Sequence, residues 1–212
     1  MINLCELKLL IEIERTQIKG NLNTDHLGYG FIEPTSEIEA ESMKEYGVNF
    51  ASNFLLESYC GTTFRSVNKH LRSTKGAPTD PFIVDYEKLL NKLLDGISAF
   101  NDNTVWRWVN CYEEFDFLKT QVGKNIVFPG FKSTSIKKLP DRSYWNIKTH
   151  VNDSNGKQIY KHIDKRKGDS EKEILFKSQT SFRILGVEEN CINLVETKGE
   201  TVDFVLSKDF KC

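Results

Sequence analysis

The sequence predicts an α+β fold with its helices first and its strands after. Three observations predict it. Apolar residues recur at helical spacing up to about residue 100, short β-branched and aromatic runs take over after residue 101, and strands and helices do not alternate as in a βαβ protein. A chain of 212 residues makes one large domain, or a core domain with an accessory segment. Its 14 Phe, seven Tyr and three Trp supply the apolar area for a sizeable core, and a 39% hydrophobic content excludes disorder of the whole chain.

The elements follow in order. Residues 38–71 are rich in helix formers, and Glu37, Glu39 and Glu41 stand near the start, where carboxylates oppose the helix dipole. Phe50, Phe54 and Leu55 keep helical spacing, Gly61 separates two helices, and Val67 and Leu71 lie four apart in the second. Gly76, Pro78 and Pro81 make 73–81 a loop. A further helix runs from 83 to about 100, with Leu89, Leu90, Leu93, Leu94 and Ile97 as one apolar stripe. Strands are expected at 104–109, 125–128, 131–136, 144–151, 158–163, 173–176, 181–187, 191–196 and 201–206, with turn residues between them.

Charge and motifs remove several function classes. Lys and Arg (29) against Asp and Glu (30) leave a net charge of -1, a poor basis for bulk nucleic-acid binding, so no nucleic-acid partner is expected. No stretch approaches the roughly 18–20 apolar residues of a membrane span, and no membrane partner is expected. Glu6, Lys8 and Glu12 interrupt the first apolar run, unlike a secretory signal. The expected location is cytoplasmic, or inside a target cell reached by a route without a signal peptide. Cys5, Cys60, Cys111, Cys191 and Cys212 are scattered, with no CxxC pair, which argues against a metal site and for reduced thiols. Neither GxGxxG nor GxxxxGK[ST] occurs, so a nucleotide would have to be held in another way.

Three features of the strand-rich part could carry chemistry. Arg107 sits inside Val105-Trp-Arg-Trp-Val109, where a guanidinium either pairs at a strand edge or clamps an anion through its planar fork. Ser133-Thr134-Ser135 follows Pro129-Gly-Phe131, and in a strand its two serines share one face. Glu171-Lys-Glu173 opens the apolar run Ile174-Leu-Phe176. With period two, its carboxylates project to one side about 6.5–7 Å apart, either as solvated surface or as a site in which each raises the other's pKa. Two acids on one strand face do not suit glycoside hydrolysis, where they flank the bond from opposite sides.

Taken in order, these features resemble the Arg-Ser-Glu class of mono-ADP-ribosyltransferases, the group of clostridial-toxin-like and vertebrate ecto-enzymes. The matching residues are Val105-Trp-Arg107, Pro129-Gly-Phe-Lys-Ser133-Thr-Ser135 and Glu171-Lys-Glu173-Ile-Leu-Phe176, with Thr180-Ser-Phe-Arg183 after them. Tyr59-Cys-Gly61 and Val67-Asn-Lys-His-Leu-Arg72 look like the family's helical region. The resemblance implies N-terminal helices followed by a two-sheet, sandwich-like core with NAD as substrate in the cleft. It sets residues 35–212 as the catalytic domain and 1–34 as a docking arm or cap.

By the same resemblance, Arg107 holds the NAD phosphates and Ser133 positions Glu173. Thr134 and Ser135 support the strand beside the dinucleotide. Glu173 grips the nicotinamide ribose, and Glu171 faces an acceptor arginine on a partner protein. Tyr144 or Trp145 covers the nicotinamide. Trp108 stands where the family usually has Gly, and its backbone would make the same contacts if the indole points away. The implied activity is transfer of ADP-ribose from NAD to arginine. NAD glycohydrolysis and an inactive binding module on the same scaffold are the alternatives.

Overall fold

The computed structural model describes residues 1–17, 32–100, 104–108, 112–138, 144–148, 154–163, 172–188 and 191–206, and every structural statement below concerns those residues. The helices come first. Helix α1 (Leu4–Gln17) starts with reciprocal capping: Asn3 Oδ1 accepts from the Glu6 amide and Glu6 Oε2 accepts from the Asn3 amide, each at 2.9 Å. The Thr35 side chain caps α2 (Ser36–Tyr46), which ends at Gly47 in the left-handed region (φ 66°). Asn49 caps α3 (Phe50–Ser58). A π turn (Tyr59–Thr63) then leads into α4 (Phe64–Ser73), so Gly61 lies in a widened turn rather than in a break. Asp80 caps α5 (Pro81–Asp95), with Pro81 in its first turn, where the missing N–H costs nothing.

The strands are β1 (Thr104–Trp108), β2 (Asn125–Phe128), β3 (Lys132–Ser135), β4 (Tyr144–Lys148), β5 (Gly156–Lys157), β6 (Glu173–Phe176), β7 (Thr180–Glu188), β8 (Cys191–Thr197) and β9 (Phe204–Val205). They form one continuous hydrogen-bonded order, β5-β6-β3-β1-β4-β8-β7-β2-β9. The pairings are antiparallel except β4 with β8 and β2 with β9. This order folds over on itself: Phe176 of β6 meets Phe182 of β7 with ring centroids 5.2 Å apart, although the two strands lie far apart in the order. The two expected layers are therefore halves of one order, joined where β4 pairs with both β1 and β8.

Two cores result. One lies between the halves of the sheet and holds Val105, Phe128, Ile174, Phe176, Phe182 and Leu194. The other joins the sheet to the helices through Leu175 and Phe131, which pack with Leu55, Tyr59, Val67, Leu71 and Leu90. Strand β6 is buried on both faces, which explains its unbroken Ile-Leu-Phe run. The 1–34 segment contributes Ile2 and, from α1, Leu7, Leu10 and Ile11 to the helical core.

Several elements differ from the sequence expectation: α1 and β5 have no counterpart in it, the stretch before Gly61 is split into α2 and α3, and the strand expected at 201–206 is only Phe204–Val205. A helix α6 (Tyr112–Lys119) stands between β1 and β2 and buries Phe115 and Leu118, three apart. The strand expected at 158–163 is a 3-10 turn (Ile159–Lys161), because Ile159 and Ile163, four apart, both face the helical core.

Candidate active site

A cleft of about 620 Å³ opens between the α3–α4 region and the β1–β3–β6 edge. The helical wall supplies Tyr59, Cys60, Phe64, Arg65, Asn68, Lys69 and Arg72. The strand wall supplies Arg107, Phe131, Lys132, Ser133 and Glu173. Three sequence-predicted residues that are remote in the chain therefore meet here: Arg107, Ser133 and Glu173.

Strand register explains the meeting. Ser133 pairs with Leu175 and Ser135 with Glu173, so both serines and the glutamate occupy the helix-facing side of the sheet. Glu173 is only 7% exposed, so its carboxylate needs donors close by. The Cys60 thiol lies 3.7 Å from its Oε2. Arg107 donates from Nη1 to the Ser133 carbonyl, which ties β1 to β3 at the cleft. Ser135 pairs with Trp106 on one side and Glu173 on the other, and its Oγ accepts from the Lys137 amide at 2.9 Å.

Thr134 does not line the cleft. Strand alternation turns it to the other face, where it is buried and its hydroxyl donates to the Ile174 carbonyl at 2.8 Å; it braces β3 against β6 and is not placed to contact a dinucleotide. Glu171 lies outside the described residues, as do the side chains of Trp108, Tyr144 and Trp145. Their backbones pair across β1 and β4, Trp108 with Tyr144 and Arg107 with Trp145.

The helical wall holds residues to which the sequence reading gave no role. Helix α4 buries Val67 and Leu71 and turns Arg65, Asn68, Lys69 and Arg72 to the cleft. That basic stripe, at i, i+4 and i+7 opposite an apolar pair, was the signal in the sequence. Asn68 donates to the Tyr59 hydroxyl at 3.0 Å, while its buried Oδ1 meets no partner among the described residues. Tyr59 is fixed edge-on against Phe131, centroids 5.5 Å apart. Burial pushes the Tyr59 phenol well above its usual range and the Glu173 carboxylate adds to this, against the Asn68 hydrogen bond and Arg107. Tyr59 is therefore neutral at any ordinary pH.

Lys132 shows the cost of charge at the cleft wall. Its ammonium lies 3.6 Å from Glu114 of α6 and 4.3 Å from the centre of the Phe128 ring. Burial lowers its pKa to about 7, and Arg107 and Arg72 add to this against the attraction of Glu114.

The cleft is thus lined by the basic side chains Arg65, Lys69, Arg72 and Arg107 together with the Glu173 carboxylate, although the whole chain carries a net charge of -1. Such a wall suits a ligand with phosphates at one end. The volume lies within the roughly 300–1,000 Å³ of small-molecule sites.

No family model matches the sequence, and no curated protein matches it. Solved structures do. The C3 exoenzyme of Clostridium limosum is 15% identical, over 80% of this chain and 98% of that one, with a TM-score of 0.58. Plx2a, an ADP-ribosyltransferase toxin from Paenibacillus larvae, is 14% identical over 76% and 96%, with a TM-score of 0.59. ADP-ribosyltransferase Vis, from Vibrio splendidus and solved in complex with agmatine, is 17% identical over 85% and 95%, with a TM-score of 0.54. At these identities the shared property is the fold.

Proposed function

We propose, from the ADP-ribosyltransferase fold that this chain shares with those structures, that it transfers ADP-ribose from NAD to an arginine of a target protein and releases nicotinamide. The observation that carries the reading is the convergence of Arg107, Ser133 and Glu173 on one cation-lined cleft.

Each residue has a role in that chemistry. Arg107, with Arg65, Lys69 and Arg72 opposite, holds the diphosphate. As the bond from ribose C1′ to the nicotinamide nitrogen breaks, positive charge develops on the ribose. The Glu173 carboxylate stabilises that charge more than it stabilises the ground state. Arg107 fixes the backbone of Ser133 and so keeps β3 and the glutamate strand in register. Glu171, two residues before Glu173, orients the acceptor guanidinium and helps take its proton, which is needed because a free guanidinium has a pKa above about 12. A new bond then joins C1′ to the guanidino nitrogen. An arginine acceptor is supported by the Glu171–Glu173 pairing of the resembled class. It is also supported by agmatine, a guanidinium compound, in the Vis structure.

The test is incubation with adenylate-labelled NAD and agmatine, then with cell extract. Mass spectrometry should find ADP-ribosyl agmatine and ADP-ribosyl arginine in protein. Free ADP-ribose alone would replace transfer by glycohydrolysis, and unchanged NAD would end the proposal.

A further inference from the structure

We propose that the Cys60 thiol is a positioning residue for Glu173, donating to its carboxylate and aiming it at the ribose; the inference rests on the function proposed above. The thiol and carboxylate come from opposite walls of the cleft, 113 residues apart in sequence, and lie 3.7 Å from each other. Cys60 is half-buried and its neighbour Tyr59 is locked against Phe131, so the turn that carries the thiol is held at a fixed distance from β6.

The turn is a π turn, and this sets the aim. Successive side chains of an α-helix diverge by about 100°. In the wider turn they diverge less, so Tyr59 and Cys60 can both face the strands. A thiol also suits the chemistry: its S–H is a neutral donor that orients the carboxylate without adding a further charge to a cleft already lined with cations.

The experiment compares Cys60→Ser and Cys60→Val in the full chain. Both are close to cysteine in size, and only serine keeps a donor. Nicotinamide release gives kcat and KM, and tryptophan fluorescence gives NAD affinity. The valine variant should lose about threefold to tenfold in kcat at unchanged NAD affinity, and serine should recover most of that loss. A packing role predicts the opposite ranking, and valine at the kcat of the parent overturns the proposal. Should valine prevent folding, methyl methanethiosulfonate on the parent protein takes its place. The thiol displaces methanesulfinate and becomes a methyl disulfide that cannot donate. NAD-protectable loss of turnover in the parent, absent in Cys60→Ser, supports the proposal, and equal loss in both overturns it. A parent protein that neither binds NAD nor releases nicotinamide would sink the proposed function itself. An active parent with an unaffected valine variant would sink only this inference.

Discussion

Gly130 and Asn68 approach so closely that a Cβ on the glycine would lie 2.5 Å from Asn68 Oδ1 and 3.1 Å from its Cγ. The loop before β3 therefore packs against the buried amide oxygen of a side chain that lines the cleft. Gly130→Ala should displace that amide. NAD affinity should fall by about threefold or more while the fold survives, as one lost hydrogen bond implies. Calorimetric titration with NAD, beside a circular-dichroism melt, checks it; unchanged affinity would show that Asn68 makes no ligand contact.

Glu173→Gln keeps the shape of the buried side chain and removes its charge. Nicotinamide release should drop at least about a hundredfold, the scale of losing one preorganised electrostatic group. Glu171→Ala should instead abolish transfer to agmatine and leave some NAD hydrolysis. Separate assays of nicotinamide and ADP-ribosyl agmatine measure the two, and full transfer by both variants would refute the role assignment.

Tyr59→Phe removes the acceptor of the buried Asn68 amide and leaves that N–H unsatisfied. The expected loss of stability is about 1–3 kcal/mol. Urea unfolding should register it as a lower midpoint at unchanged slope.

Lys132 gives the protein a pH signature. In the unfolded chain it holds its proton to about pH 10.4, and in the fold to about 7. Between those values the unfolded chain binds more protons, so the lysine's contribution to stability rises with pH. Below about pH 7 both states are charged and the burial penalty is complete. The stability gap between Lys132→Met and the parent should therefore be most in favour of methionine at pH 6–7 and shrink towards pH 10. Denaturation at several pH values measures that gap, and a constant gap would contradict the burial of this ammonium.

The order of elements was legible wherever periodicity and burial agree. Strands 125–128 and 173–176 appear with the bounds the sequence suggests, because β-branched and aromatic residues there fill two-sided cores. Helix α1 carried a signal that hydrophobic spacing alone does not weigh: the Asn3-x-x-Glu6 capping pair. Helix α6 had acidic residues in its first turn, Lys119 in its last and an apolar pair three apart, but eight residues give a weak periodic pattern. At the site, order in sequence found Arg107, Ser133 and Glu173. It assigned nothing to Tyr59, Cys60 or Asn68, because the π turn that aims the first two has no composition signature and the Asn68 environment depends on Gly130, 62 residues on.

The π turn has a consequence for the length of the chain itself. It acts as a phase shift in the helical screw between Leu55 and Val67. Five residues at π pitch turn the chain about as far as four at α pitch, so a chain shortened by one residue there can rewind to an ordinary screw and keep its downstream phase. Val67 and Leu71 would stay in the apolar interior and the cationic stripe of α4 on the groove, and only the local aim of Tyr59 and Cys60 would be lost. A single-residue deletion at Tyr59–Thr63 should therefore leave the fold intact, whereas the same deletion inside α4 would turn the face beyond it by about 100°.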